Sequence, residues 1–285
     1  MSAHDRAVLI TGCSSGIGRA TAERLARSGW SVYATARDLS SIQSLEGPSC
    51  SLLRLDVTDP ASIRDAVAEV EAAAGAVGVL INNAGYSQSG AVEAVPMDLV
   101  RTQFETNLLG PIGLIKAVLP GMRRAGWGKI VNMSSMGGKL TFPGGGLYHA
   151  SKHAIEALSD ALRFEVRRFG VDVIVVEPGI ITTGFGSAAA SSVPAGSAAE
   201  GPYDDFNSAV AVGTQMAYER GALRRLGGRP DAVARVIERA LDAKNPRARY
   251  PVTPSALLLM TARKIMPDGV WDAFLRRQFP QPGPR

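Results

Sequence analysis

The stretch Ala7-Val8-Leu9-Ile10-Thr11-Gly12-Cys13-Ser14-Ser15-Gly16-Ile17-Gly18 decides the fold. Ala7 to Thr11 is a short apolar run of strand type, the glycines follow in the spacing G-x-x-x-G-x-G, and an Ala/Leu-patterned helix runs on to about Ser28. Strand, glycine turn and helix in that order are the setting of a dinucleotide phosphate site. Glycines let the backbone approach a pyrophosphate, and the first turn of a helix offers free N–H groups with a partial positive charge. Gly12, Ser14, Ser15, Gly16, Ile17 and Gly18 are therefore candidate cofactor contacts.

The next strand, Ser31 to Ala36, carries the choice of cofactor. An NAD site places an acid about 20 residues beyond the glycine loop, to bind the ribose hydroxyls. Ala36 stands where that acid is expected, and Arg37 follows. An acid would repel a 2′-phosphate, whereas a guanidinium fork suits one. NADP (NADPH) is favoured over NAD; the alternative use of Arg37 is stacking on the adenine face.

Strands and helices then alternate. Ser51 to Val57 reads as a third strand; Asp56, beside Val57, is placed to accept from an adenine amino group or to cap the helix that begins at Pro60. A helix over 61–74 leads to a fourth strand, Val77 to Ile81, which ends in the polar turn Asn82-Asn83-Ala84-Gly85. Asparagines there can pin neighbouring strands as readily as touch a ligand. A long helix from about Asp98 to Arg124 contains Asn107, an amide in apolar company close to the Gly110-Pro111 break. A buried amide needs partners, and an opened backbone there would let Asn107 hold a water or a lysine. Lys129 to Met133 is a fifth strand ending in Ser134-Ser135, and Val171 to Val176 a sixth, followed by Glu177-Pro178-Gly179-Ile180-Ile181-Thr182-Thr183. This alternation predicts an α/β fold: a Rossmann-type, doubly wound parallel sheet with its ligand crevice at the strand carboxyl ends. The glycine loop, Asn82-Asn83, Ser135 and Tyr148 all fall at those ends.

Tyr148 and Lys152 open a helical pattern that runs to about Phe169, and at i and i+4 they share one face. A free phenol titrates near ~10. A neighbouring ammonium stabilises the phenolate and draws that value towards working pH, which suits a side chain that gives and takes protons. Ala150, Ala154, Ala157 and Ala161 on the same helix permit close packing against the sheet or a partner subunit.

Residues 1–285 read as one dinucleotide-binding domain. From Gly184 to about Arg229 regular signals are few, the stretch Ser187 to Gly201 is low in complexity, and Phe185, Tyr203, Phe206, Met216, Tyr218 and Leu223 have no obvious place in the sheet. A long connection of this kind predicts a lid over a mostly apolar substrate. An amphipathic helix over 231–243, a last strand over 249–252 and a helical extension over 253–285, broken at Pro267, complete the chain.

With 46% hydrophobic and 20% charged residues the chain can bury a full core. Its formal charge of +5 invites a nucleic-acid reading. However, the basic pairs are scattered, with no aromatic interleaving and no nucleic-acid module. The expectation is no nucleic-acid partner. Met1 to Arg6 lacks the apolar run of a signal peptide, no stretch approaches the length of a membrane span, and Cys13 and Cys50 lack metal or redox spacing. A cytoplasmic location is the default.

Taken together, Thr11-Gly12-Cys13-Ser14-Ser15-Gly16-Ile17-Gly18, Asn82-Asn83-Ala84-Gly85, Asn107, Ser135, Tyr148-x-x-x-Lys152 and Pro178-Gly179 resemble the short-chain dehydrogenase/reductase family over residues 6 to about 185. Tyr33-Ala34-Thr35-Ala36-Arg37-Asp38 and the wording of the glycine loop look most like its 17β-hydroxysteroid and retinol dehydrogenase branch. The resemblance implies an NADP(H)-dependent alcohol dehydrogenase or carbonyl reductase. Tyr148 would be the proton donor and acceptor, and Lys152 would lower its pKa and hold the nicotinamide ribose. Ser135 would bind the substrate oxygen, and Asn107 would support a water linking Lys152 to solvent. It places Asp56, Val57, Asn83, Ala84, Gly85, Pro178, Gly179, Ile181 and Thr183 along the cofactor, requires no metal, and implies a homo-oligomer, dimer or tetramer. A non-catalytic NADP-binding redox sensor is the alternative; such a protein would be expected to lose Tyr148 or Lys152, and both are present.

Overall fold

Val8 and Ile10 point to one side of the first strand and Ala7 and Leu9 to the other, and all four are fully buried. A strand covered on both faces reads as a continuous apolar run, and that pattern requires helices on each side of the sheet. The computed structural model describes residues 6–194, 201–219 and 222–283. Seven strands form one parallel sheet: β1 (Ala7–Ile10), β2 (Ser31–Ala36), β3 (Cys50–Arg54), β4 (Val79–Asn82), β5 (Gly128–Met133), β6 (Val171–Glu177) and β7 (Arg249–Pro251). Their order, β3-β2-β1-β4-β5-β6-β7, reverses between β1 and β4.

One core layer joins Val8, Ile10, Val32, Ile81, Val131 and Ile174 to Ala22 and Leu25 of α1 (Gly16–Arg27). On the same side lie Val233, Ile237 and Ala240 of α9 (Pro230–Asp242). The opposite layer joins Leu9, Leu80, Ile130 and Val173 to α2 (Pro60–Ala74), α4 (Gly110–Ala125) and α5 (Gly146–Val166). Each fully buried leucine or isoleucine contributes about 1.5–3 kcal/mol. The remaining helices are α3 (Met97–Phe104), α6 (Phe185–Ser191), α7 (Asp204–Glu219), α8 (Ala222–Arg225), α10 (Pro254–Ile265) and α11 (Asp268–Arg276).

Several sequence expectations are corrected. The third strand stops at Arg54, because Asp56 folds back in a tight turn, its Oδ1 accepting from Thr58 N at 2.9 Å and from the Thr58 hydroxyl at 2.8 Å. The cap of α2 is Asp59, which accepts from Ala61 N at 2.8 Å, and not Asp56. The long helix is interrupted: α3 and α4 are joined by a π-helical turn over Glu105–Leu109, which carries Asn107. The region beyond Gly184 is helical in α6, α7 and α8 where few regular signals were expected. Residues 195–200 of its low-complexity stretch, and the side chain of Leu223, lie outside the described residues. On α5, Ala150, Ala157 and Ala161 face outward, so close packing on the sheet is not their use. Among the described residues no helix is long and apolar enough to cross a membrane.

Candidate active site

The reversal of strand order opens a crevice between the carboxyl ends of β1 and β4, where open α/β sheets bind ligands. Gly12 (φ 72°) and Gly16 (φ 59°) occupy the left-handed region that a side chain disfavours. Asn83 locks this loop: its Nδ2 donates to Thr11 O at 2.9 Å and Gly12 O at 3.1 Å. The Thr11 hydroxyl in turn accepts from the N–H groups of Asn83 and Ala84, each at 2.9 Å. Ser15, the first residue before α1, makes no side-chain cap, and the first turn carries no acid. Its N–H groups are thus left for an anion. Ser14 and Ser15 are exposed at the loop tip, with Ile17 half-buried beneath.

The rim is completed from three sides. A Cβ on Gly16 would lie 3.4 Å from Thr183 Cγ2, so the exit of β6 meets the glycine loop. Ile181 is buried and bridges to Gly228. Arg37 is exposed directly after β2. Burial works against the Asp56 carboxylate, but the Thr58 hydrogen bonds and then the Arg37 and Arg54 charges hold it below its usual value. Val57 is buried against Gly110 of α4, where a Cβ would lie 2.6 Å from Val57 O. A glycine cradle with free helix N–H groups and a guanidinium beyond β2 fits a dinucleotide that carries an added phosphate.

Beyond the cradle, α5 brings Tyr148 and Lys152 beside the turn after β5. The Ser135 hydroxyl lies near enough to the Tyr148 phenol to favour its ionised form. Ser135 Oγ also accepts from Gly137 N at 3.0 Å, which fixes the turn. The adjacent Ser134 is buried, its hydroxyl 3.5 Å from Ser135 O. The Lys152 ammonium lies 5.8 Å from the Tyr148 ring centroid and donates to Met133 O at 2.7 Å. Both groups are densely surrounded, and desolvation dominates both. The phenol is pushed up to about 12, with the Ser135 hydroxyl pulling the other way. The ammonium is pushed down to about 8, opposed by the charge of Glu156. The expected lowering of the phenol by Lys152 is therefore not found in this arrangement: the cation sits under the ring and burial prevails.

Asn107 is buried in the π-helical turn; its Oδ1 accepts from Tyr86 N at 3.1 Å, and its Nδ2 donates to Tyr86 O at 2.9 Å and Ser151 Oγ at 3.2 Å. These bonds aim it at the space beside Gly85. A Cβ there would lie 3.1 Å from Asn107 Oδ1 and 3.7 Å from Lys152 Nζ. Pro178 supplies the carbonyl that accepts from Met136 N at 2.8 Å, and Gly179 presses so closely on α10 that a Cβ would lie 2.8 Å from Ala256 N.

The region after β6 roofs this corner. Phe185 packs at a tilt on Tyr148 with ring centroids 5.5 Å apart, and Tyr218 of α7 packs at a tilt on Phe185 at 6.1 Å. A cavity of about 190 Å³ beside them is lined by Thr182, Thr183, Ser187, Gln215 and Tyr218. A larger cleft of about 560 Å³ runs between the 139–146 loop, α7 and α11, past Phe142, Phe206 and Trp271.

Residues 6–193 match the family model described as short chain dehydrogenase. The chain belongs to the short-chain dehydrogenase/reductase family. It is 37% identical to the 3-ketodihydrosphingosine reductase of Bacteroides thetaiotaomicron, over 94% of this chain and 96% of that one. It is 33% identical to an NADPH-dependent 3-dehydrocapnine reductase of Ornithobacterium rhinotracheale, over 94% and 95%. It is 35% identical to human 17-beta-hydroxysteroid dehydrogenase type 1, over 92% and 82%. Among solved structures, a short-chain dehydrogenase from Streptomyces avermitilis has a TM-score of 0.78 at 36% identity, over 95% and 96%. ElxO with NADP bound has 0.71 at 26% identity, over 89% and 99%. A short-chain dehydrogenase/reductase from Burkholderia phymatum in complex with NAD has 0.78 at 26% identity, over all of both chains.

In this family member some neighbours of the site escape a reading of the sequence. Tyr218 lies 70 positions from Tyr148, and nothing in its local pattern marks it for the roof. His149 is buried beside Tyr148, its Nδ1 3.1 Å from Gly137 O, and a Cβ on Gly145 would lie 2.7 Å from its Nε2. The signal that could have found it is the run of glycines at 137–138 and 144–146, which leaves room for a ring.

Proposed function

We propose that this chain is an NADP(H)-dependent oxidoreductase that interconverts an alcohol and its ketone or aldehyde on a bulky, apolar substrate. The observation that carries the reading is the meeting of Tyr148, Ser135 and Lys152 at one corner of the crevice, next to a glycine cradle with unpaired helix N–H groups.

Bound nicotinamide would supply or accept the hydride. Tyr148 gives its proton to the carbonyl oxygen, and the half-buried, protonated phenol suits reduction. Ser135, beside that phenol, orients the same oxygen. Lys152, anchored to Met133 O, holds positive charge under the ring as the phenol gives up its proton. Asn107, fixed by Tyr86 and Ser151, stands where it can hold a water between Lys152 and solvent. Gly12, Ser14, Ser15, Gly16, Ile17 and Gly18 would cradle the pyrophosphate. Asp56 and Val57 would flank the adenine, Asn83 to Gly85 and Pro178 to Thr183 would line the remainder, and Arg37 would take the 2′-phosphate.

The NADPH-dependent relative and the NADP-bound neighbour support that cofactor, and the missing acid at Ala36 makes NAD the lesser one. The named substrates of the relatives are long-chain or multi-ring compounds, and the roof over Tyr148 is aromatic. The test follows NADPH consumption at the nicotinamide absorbance with 3-ketodihydrosphingosine, retinal, steroid ketones and small polar ketones. Turnover confined to the small polar ketones overturns the substrate class. We also infer a homo-oligomer through the outer face of α5, where Ala150, Ala157 and Ala161 flank Phe164, which is 90% exposed. Analytical ultracentrifugation of wild type and Phe164→Glu tests it; a monomeric wild type sinks the inference.

A further inference from the structure

Behind the reacting corner lie two carboxyl groups with no part in the steps above. Glu156 is one turn further along α5 from Lys152, and Glu177 is the last residue of β6; they are 4% and 2% exposed. Carboxylates are almost never buried to this degree unless paired. Glu156 Oε2 receives Lys139 Nζ at 2.7 Å and Arg249 Nε at 3.0 Å. The same Arg249 Nε is 3.7 Å from Glu177 Oε1, while its other arm reaches Asp160 Oδ2 at 2.7 Å. Four elements meet here: α5, β6, β7 and the turn that carries Ser135.

Glu156 Oε1 is buried and finds no donor. The Glu177 carboxyl is its neighbour: Arg249 Nε reaches both, Glu156 Oε2 at 3.0 Å and Glu177 Oε1 at 3.7 Å, and the Glu156 charge acts on Glu177. Two carboxylates cannot satisfy one another, since each only accepts. One proton between them resolves the orphan and removes the repulsion, as in any close carboxyl pair. Burial, then the Glu156 charge, push Glu177 up to about 7, against the pull of Lys139 and Arg249.

The pair touches the reacting corner on two sides. A Cβ on Gly138 would lie 3.0 Å from Glu156 Cγ and 3.1 Å from Lys152 O, so Glu156 backs the Ser135 turn directly. That turn is also tied to the end of β6 through Met136 N and Pro178 O, at 2.8 Å. Lys152 is a buried ammonium, and among the described residues no carboxylate lies within ion-pair distance of it; the negative charge that acts on it is that of Glu156.

We propose that Glu156 and Glu177 share one proton and act as a positioning pair, bracing the Ser135 turn through Lys139 and keeping Lys152 protonated. The inference rests on the reading of Lys152 given above. The charged groups that act on the pair are Lys139 from the turn, Lys152 from α5 and Arg249 from β7, whose other arm is held by Asp160, itself paired with Arg163. As pH rises through the Glu177 transition the shared proton leaves, and the pair meets Lys139 and Arg249 with two negative charges in place of one.

Infrared difference spectra of the wild-type protein between about pH 5 and 9 test the shared proton without reference to activity. The expected result is a protonated-carboxyl band that survives to near neutral pH, fades above it, and is missing from E177Q. If E177Q keeps the wild-type band, or no such band is present at pH 6, the pair is fully ionised and the proposal fails. The second arm is the pH profile of kcat/KM. E156Q removes the charge that supports Lys152, so the alkaline limb should move to lower pH by at least about half a unit, with the NADPH Kd unchanged. A limb that stays in place overturns the role assigned to Glu156. If E156Q does not fold, E156D, which keeps the charge, is expected to keep the limb in the wild-type position, and a shifted limb there overturns the same role. Failure of the underlying reading would look different: Tyr148→Phe would retain turnover while the carboxyl band remained.

Discussion

Gly18 and Asn83 stand so close that neither position can be varied alone: a Cβ on Gly18 would lie 2.5 Å from Asn83 Nδ2 and closer still to the carbonyl oxygen of Gly12. The amide cannot withdraw, because it holds Thr11 O and Gly12 O. Gly18→Ala must therefore displace the loop backbone, at a cost of about 1–3 kcal/mol. The expected outcome is a lower urea midpoint together with weakened NADPH binding. A variant with wild-type midpoint and affinity would show that the loop yields without strain.

Tyr148→Phe keeps the ring that packs on Phe185 and removes the proton that Ser135 addresses. Turnover should fall on the order of a hundredfold or more, while the NADPH Kd stays within about twofold. Near wild-type rates of carbonyl reduction would remove Tyr148 from the proposed chemistry.

Arg37→Ala should erase most of the preference for NADPH over NADH. A charge-assisted contact with the 2′-phosphate is worth about 1.5–3 kcal/mol, roughly ten- to hundredfold in Kd. Titration of both cofactors against both proteins decides the matter. Equal affinities in the wild type leave Arg37 as an adenine-stacking residue.

The order of strands, the glycine loop and the Tyr148–Lys152 pair were legible because each is a local pattern: an apolar run, a glycine spacing, an i and i+4 offset. The break at Asn107 was half legible, since Gly110-Pro111 announced an opening but not a π-helical turn. What failed did so for a shared reason. Asp56 and Asp59 are equally good caps on paper, and only the turn made with Thr58 decides between them. Helix α7 buries Phe206 and Val210 but leaves Val212 and Met216 more than half exposed, so its pattern is faint without its neighbours in view. The Glu156–Glu177 pair is likewise invisible along the chain, 21 residues apart on different elements.

His149 should make the fold sensitive to acid. Burial, despite the hydrogen bond with Gly137 O, pushes the imidazole down to about 4 from its ordinary 6.5. Below pH 6.5 the unfolded chain takes a proton that the native ring refuses until about pH 4, so stability is present above 6.5 and lost as pH falls through that window. A shift of this size is worth on the order of 3 kcal/mol. In urea titrations from pH 7 to 4, His149→Gln should lose less stability than wild type by about that amount. Parallel curves would place the acid sensitivity elsewhere.

The roof over Tyr148 is expected to behave as a lid. Helices α6 and α7 meet where Gly186 lies against the Tyr218 ring, and a Cβ there would fall 2.5 Å from Tyr218 Cγ. Among the described residues the assembly is hung on the 88–93 loop by the Gln88 amide on Ser192 O, Ser89 N to Ser192 Oγ at 2.9 Å, Ala91 N to Asn207 Oδ1 at 2.8 Å, and the Tyr203 hydroxyl to Glu93 Oε2 at 2.6 Å. Its apolar footing is a small cluster of Ala91, Phe206 and Val210, separate from the sheet cores. A small apolar footing, apart from the sheet cores, describes a segment that opens at lower cost than the sheet itself. The rival use is a subunit interface, for which exposed Val212 and Met216 serve equally well. Hydrogen exchange separates the two: with NADPH and an apolar ketone added, α6 and α7 should gain protection at constant oligomeric state. Protection already high in the unliganded oligomer, and lost only on subunit separation, would discard the lid in favour of the interface.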